Sequence, residues 1–138
     1  MSKKKVSWKS FHQSCITLAD IMVKNRFKPH FIYGIPRGGL IPATIISHYL
    51  DIPLISTIDN YSKNILVVDE ICESGKTIET IKITIRNFEM RNIRFGTIYV
   101  NEAHCKHYPN YFVHKTTDWV VFPYEQDKDT ISLIQYKQ

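Results

Sequence analysis

Residues 65–77 read ILVVDEICESGKT. An apolar run, Ile65 to Val68, leads into two adjacent carboxylates, Asp69 and Glu70, and the polar turn Glu73-Ser74-Gly75-Lys76-Thr77 follows. A turn between a buried strand and a helix presents unpaired backbone N–H groups and the positive end of a helix dipole. The Ser and Thr hydroxyls add donors, so residues 73–77 are expected to hold a phosphate. The segment is not a nucleotide-triphosphate loop, because that motif needs Gly five residues before the Gly-Lys pair, where Glu70 stands.

Two carboxylates beside a phosphate repel it unless they bind sugar hydroxyls or a divalent cation that reverses the local sign. A ribose phosphate bearing a pyrophosphate satisfies these needs together, with Asp69 and Glu70 on the ribose diol or on hydrated magnesium and the loop on the 5′-phosphate. The plainer reading has the acids cap the next helix and Gly75 make a turn, but capping explains an acidic pair at a strand end poorly.

The elements that must position these residues follow from hydrophobic period and turn chemistry. Ser7 can cap a helix with Phe11, Cys15, Leu18 and Met22 on one face. A short buried strand is expected over Phe31 to Gly34, closed by the turn Gly34-Ile35-Pro36-Arg37-Gly38-Gly39. A helix over about Leu40 to Leu50 and a strand over Leu54 to Ile58 come next. The strand Ile65 to Val68 then leads to a helix with Ile78, Ile81, Ile85 and Phe88 on one stripe, and Arg94 to Val100 reads as a further strand. Strands alternating with helices predict βαβ units and a mostly parallel sheet flanked by helices. Ligands in such sheets bind beyond the carboxyl ends of the strands, which puts residues 34–39 and 69–77 on one rim.

The 138 residues predict one domain, 1–138, and the hydrophobic content of 43% is ordinary for a globular chain. No apolar run approaches the length of a membrane span, and MSKKKVSWKS has no apolar stretch behind its lysines, so a cytoplasmic protein without membrane contact is expected. Cys15, Cys72 and Cys105 are odd in number and far apart in sequence, which argues against a disulfide framework. The net charge of +5 fits a solvated basic face, a phosphate-rich ligand or RNA, and does not choose among them. His104, Cys105 and His107 lack the fourth ligand and spacing of a zinc site.

ILVVDEICESGKT resembles the phosphoribosyl-pyrophosphate signature of the type I phosphoribosyltransferases along the whole length of that motif. FIYGIPRGGLIPA, with VSWKSFHQSCITLAD before it, resembles the pyrophosphate-binding region of the bacterial xanthine-guanine enzymes, and TTDWVVFPYE resembles their base-binding hood. The resemblance runs from about Val6 to Glu125. It implies the type I fold, with a core over about 6–105 and a small C-terminal hood over about 106–138. It also implies transfer of the 5-phosphoribosyl group from phosphoribosyl pyrophosphate to a nucleobase, a purine by its hood, with Mg2+ held by Asp69 and Glu70 directly or through water. Because relatives are commonly dimers or tetramers, it implies a homodimer or homotetramer as well.

Carried over residue by residue, the resemblance places Arg37 and the N–H groups of Gly38 and Gly39 on the pyrophosphate, with a cis peptide just before Arg37. Glu73, Ser74, Gly75, Lys76 and Thr77 hold the 5′-phosphate. Glu73 also assists the proton at the base, Trp119 stacks on the purine, Val120 meets its edge through the main chain, and Glu125 lies close to base and metal.

Three departures set this chain apart. Glu73 replaces the usual Asp and reaches one methylene further. Asn101 stands where 6-oxopurine enzymes carry Lys. Only ISTIDNYSKN separates Leu54 from Ile65, too little for the family's closing lid, unless a neighbouring subunit or the basic N-terminal tail replaces it. The short connection keeps two alternatives open: a regulatory module that binds nucleotides or phosphoribosyl pyrophosphate without efficient transfer, and a hydrolase of phosphoribosyl pyrophosphate.

Overall fold

The computed structural model describes residues 2–58, 63–86 and 92–126. The elements run β1 (Lys3–Lys5), α1 (Trp8–Lys24), β2 (Phe31–Gly34), α2 (Leu40–Leu50), β3 (Leu54–Ile55), β4 (Ile65–Cys72), α3 (Lys76–Arg86), β5 (Ile93–Asn101), β6 (Tyr111–Thr116) and β7 (Trp119–Val121). Five strands form one all-parallel sheet in the order β3-β2-β4-β5-β6.

A parallel sheet is covered on both faces, which is why its central strand reads as unbroken apolar residues rather than as an alternation. Leu66 and Val68 pack with α1 and α2 through Leu18, Met22, Ala43 and Ile46, while Ile65 and Val67 pack on the other face with Ile78 of α3. Helix α1 forms as its capping residue and period predict: the Ser7 hydroxyl accepts from the Ser10 N–H at 3.1 Å, and Phe11, Cys15, Leu18 and Met22 are all buried. Of the stripe expected on α3, the Ile85 side chain and all of Phe88 lie outside the described residues.

Strands β2 and helix α2 match their expected bounds, but β4 does not stop at Val68. It continues to Cys72, paired with β5 at Asp69↔Thr97, Ile71↔Tyr99 and Cys72↔Val100. The acids therefore lie inside the strand, because β5 supplies ladder partners past the end of the apolar run. Their neighbours change sides there. Before the acids the even-numbered Leu66 and Val68 face α1 and α2; after them Ile71 packs against that cluster and Cys72 joins the opposite one. Strand β3 is shorter than expected, ending at Ile55, and it occupies the edge of the sheet.

The hood also differs from its sequence outline. Strand β6 lies beyond the expected core boundary yet is the fifth strand of the main sheet. The lysine-rich N-terminus, which could have covered the site as a tail, instead forms β1 and pairs in parallel with β7, Lys3 opposite Trp119 and Lys4 opposite Val120. Phe11 joins the hood to α1, its ring 5.8 Å from that of Phe122 and 5.5 Å from that of Tyr124. Removing a core ring of this kind costs about 3–5 kcal/mol. Residues 127–138 of the expected hood, and 59–62 of the connection between β3 and β4, lie outside the described residues. Among the described residues, no helix is long and apolar enough to cross a membrane.

Candidate active site

From β2 the chain steps outward to β3 on one side, then crosses to β4 and proceeds through β5 and β6 on the other. The order reverses between β2 and β4, and a crevice opens at the carboxyl ends of strands flanking such a reversal. The turn after β2 and the turn after β4 border this crevice, as the sequence requires.

At the end of β4 the two acids crowd each other. Asp69 Oδ1 accepts from the Glu70 N–H at 2.9 Å. Burial first, and the neighbouring Glu70 carboxyl second, push the Asp69 pKa well above the usual carboxylate range. Glu70 leans toward the other loop, so that a Cβ at Gly38 would stand 1.1 Å from Glu70 Oε2. No larger residue fits at Gly38 while the carboxylate stays there.

Beyond β4 the chain turns through Gly75, whose φ of 86° suits glycine, and enters α3. Glu79 N–H donates to the Gly75 carbonyl at 3.0 Å, the first bond of the helix. The N–H groups of the first turn have no intrahelical acceptor; that of Lys76 is taken by Ser74 Oγ at 3.2 Å. Residues 69–78 and Thr97 line a cavity of about 240 Å³, small enough for a sugar phosphate.

The loop that follows β5 buttresses this turn, a support that the sequence does not disclose. Lys106 N–H donates to the Ser74 carbonyl at 3.0 Å, and a Cβ at Gly75 would come within 2.7 Å of the His107 backbone. Beneath the turn the Cys72 and Cys105 thiols, far apart in sequence, meet with 3.0 Å between sulfurs. Burial, with the Cys105 thiol beside it, pushes the Cys72 thiol up to about 12, which disfavours its thiolate. Among the described residues, no three His, Cys, Asp or Glu side chains gather where they could hold a metal ion.

Opposite, the peptide between Pro36 and Arg37 is cis, as the resemblance implies, and Arg37 is exposed at the rim. The Gly39 N–H, expected to face an anion, is donated instead to the Ile35 carbonyl at 2.9 Å, because the turn into α2 needs that bond. The hood reaches this loop through Tyr124, whose hydroxyl donates to the Gly38 carbonyl at 3.2 Å.

The residues expected at the base make contacts of their own within the protein. Asn101, 5% exposed, donates through Nδ2 to Glu73 Oε2 at 3.0 Å, and its Oδ1 accepts from the Ala103 N–H at 3.0 Å. These two bonds orient the amide and hold Glu73, so Asn101 meets the acid beside it. Glu125 Oε1 accepts the Phe122 N–H at 2.9 Å, which gives Glu125 a turn to close within the hood. Trp119 is 42% exposed with the Lys3 ammonium 5.0 Å from its ring centre, and Val120 is buried; neither lines the cavity at Asp69.

The acid pair suits magnesium. Mg2+ prefers hard oxygen donors, is often bound by one or two carboxylates plus water and phosphate, and would offset both the burial and the Glu70 repulsion that raise Asp69.

No protein-family model matches the chain. Xanthine-guanine phosphoribosyltransferase from Cereibacter sphaeroides is 28% identical over 87% of this chain and 85% of its own length. The crystal structure of a purine phosphoribosyltransferase from Pyrococcus horikoshii superposes with a TM-score of 0.79 and 29% identity, covering 92% of this chain and 96% of that one. A Helicobacter pylori xanthine-guanine-hypoxanthine phosphoribosyltransferase, 19% identical, shares the fold with a TM-score of 0.79 over 98% of both chains. By sequence and by fold, the chain is a homologue of the purine phosphoribosyltransferases and has the type I phosphoribosyltransferase fold.

Proposed function

We propose that this chain transfers the 5-phosphoribosyl group of phosphoribosyl pyrophosphate to a ring nitrogen of a purine. The N–C1′ bond forms on one face of the sugar as the C1′–O bond to pyrophosphate breaks on the other, with inversion at C1′. The observation that carries this reading is the pocket at the end of β4, where paired acids and a helix-entry turn share one cavity and Gly38 of the facing loop makes room for Glu70.

The turn at residues 73–77 holds the 5′-phosphate with the N–H groups of the first turn of α3 and the Ser74 and Thr77 hydroxyls. Asp69 and Glu70 orient the ribose diol and would hold Mg2+. With Mg2+ held there, the site would gain positive charge to offset the negative charge building on the departing pyrophosphate. Arg37 and the Gly38 N–H receive that pyrophosphate at the opposite wall. Glu73, kept in place by Asn101, accepts or returns the proton of the base. Trp119 and the main chain at Val120 take the base. Catalysis in such a site rests on alignment and on electrostatic stabilisation of a leaving anion.

Incubation with Mg2+, phosphoribosyl pyrophosphate and a panel of purines and pyrimidines, following pyrophosphate and nucleotide together, tests the reading. Equal release of pyrophosphate and purine nucleotide is expected. Pyrophosphate without nucleotide identifies a hydrolase, and binding without either product identifies a module that does not transfer.

A further inference from the structure

One polar group in the pocket has no role in the mechanism above. Thr97 is the ladder neighbour of Asp69 on β5, is 2% exposed, and lines the same cavity as residues 69–78. Its hydroxyl oxygen is buried with no hydrogen-bond partner in the protein, and among the described residues no other buried side-chain polar atom is in that position. Leaving a buried hydroxyl unpaired costs free energy that a valine of the same shape avoids. The sheet uses valine freely nearby, at Val67, Val68 and Val100. Packing alone therefore gives no reason for threonine here.

We propose that Thr97 is a ligand-binding residue, its hydroxyl and the Asp69 carboxylate together holding one oxygen of the bound substrate. The proposal rests on the phosphoribosyl reading and adds a contact to it. In the bound complex, where a cation or hydrogen-bond donors favour the ionised form of Asp69, its carboxylate only accepts hydrogen bonds, whereas a hydroxyl both donates and accepts. A group shared by the two must donate to Asp69 and also engage Thr97. A phosphate oxygen cannot do this, because it has no proton to give. A sugar hydroxyl can, and so can a water carried by a divalent cation. The phosphate then belongs at the turn of residues 73–77, and the sugar or the hydrated cation belongs over β4 and β5.

The experiment compares wild type with Thr97→Val and Thr97→Ser in three measurements. Ligand-free thermal unfolding is followed first. Binding of ribose 5-phosphate in EDTA and binding of Mn2+ alone come next, with inorganic phosphate as a control. Thr97→Val is expected to unfold at the same or a higher temperature, since it removes an unpaired hydroxyl. It is also expected to bind one of the two probes about tenfold more weakly. Weakening toward ribose 5-phosphate identifies a sugar hydroxyl, and weakening toward Mn2+ identifies a metal-bound water. Inorganic phosphate should bind unchanged, and Thr97→Ser should recover wild-type affinity. If wild type binds both probes and Thr97→Val binds them equally well, the Thr97 assignment falls and the phosphoribosyl reading stands. A lower unfolding temperature with unchanged binding shows a structural role and also overturns it. If wild type binds neither probe, both readings fall.

Discussion

The rim of β4 and the hood both reach the turn after β2, through Glu70 beside Gly38 and through the Tyr124–Gly38 hydrogen bond, yet they are built in opposite ways. At the rim, polar groups are left in tension: two carboxylates side by side, a buried hydroxyl without a partner, and helix N–H groups facing a cavity. In the hood, polar groups are largely satisfied from within. Glu125 closes a turn on Phe122, the Trp119 N–H donates to the Ser2 carbonyl, and Lys3 lies over the Trp119 ring. A ligand therefore relieves unfavourable terms at the rim, while at the hood it adds a surface contact to a structure already complete. Binding of the sugar phosphate should then be set by geometry at the rim, and binding of the base by side chains that can change without disturbing it.

The largest test of this contrast is Asp69→Asn with Glu70→Gln. Turnover should fall by at least about 10²–10³-fold, the scale of losing one preorganised charge-stabilising contact. The ligand-free protein should unfold at the same temperature or higher, because the crowded pair is relieved; steady-state kinetics and thermal unfolding read the two effects. Unchanged turnover would remove the acids from the mechanism. Next in size is Gly38→Ala. The new Cβ displaces the Glu70 carboxylate, and a misplacement of about 1 Å is expected to lower kcat/KM for phosphoribosyl pyrophosphate roughly 100-fold, with KM for the base little changed. The smallest effect belongs to the hood. Trp119→Ala should weaken base binding by about 1–3 kcal/mol and leave phosphoribosyl pyrophosphate binding unaltered. Equal losses for both ligands, measured by titration calorimetry, would show that the two regions are not separable.

What could be read from the chain alone depended on how local the cause was. The Gly34-to-Gly39 turn, the Ser7 cap, the period of α1 and the strand-acid-turn-helix run of residues 65–77 are each specified within a few residues, and the structure contains all of them. The length of β4 was not legible, because its last residues are strand only by pairing with β5. The same holds for β1, a run of lysines that no strand propensity favours and that β7 recruits. At the site, the sequence pointed separately to Glu73 and Asn101, but their hydrogen bond joins residues from different strand ends. Thr97 gave no signal at all, since a threonine in a strand is unremarkable until its neighbours are known. The thiol contact of Cys72 with Cys105 escaped for the same reason.

The order of residues by itself determined which chemical groups this protein carries: paired acids, a Ser-Gly-Lys-Thr turn at a helix start and a glycine-rich turn after β2, each encoded in a contiguous stretch. Only the tertiary structure decided how those groups share one pocket, which N–H groups remain free for a ligand and which are consumed by the fold, as at Gly39. The physical reason is that backbone turns are set by near neighbours, whereas burial, hydrogen-bond satisfaction and charge crowding depend on what distant strands bring alongside.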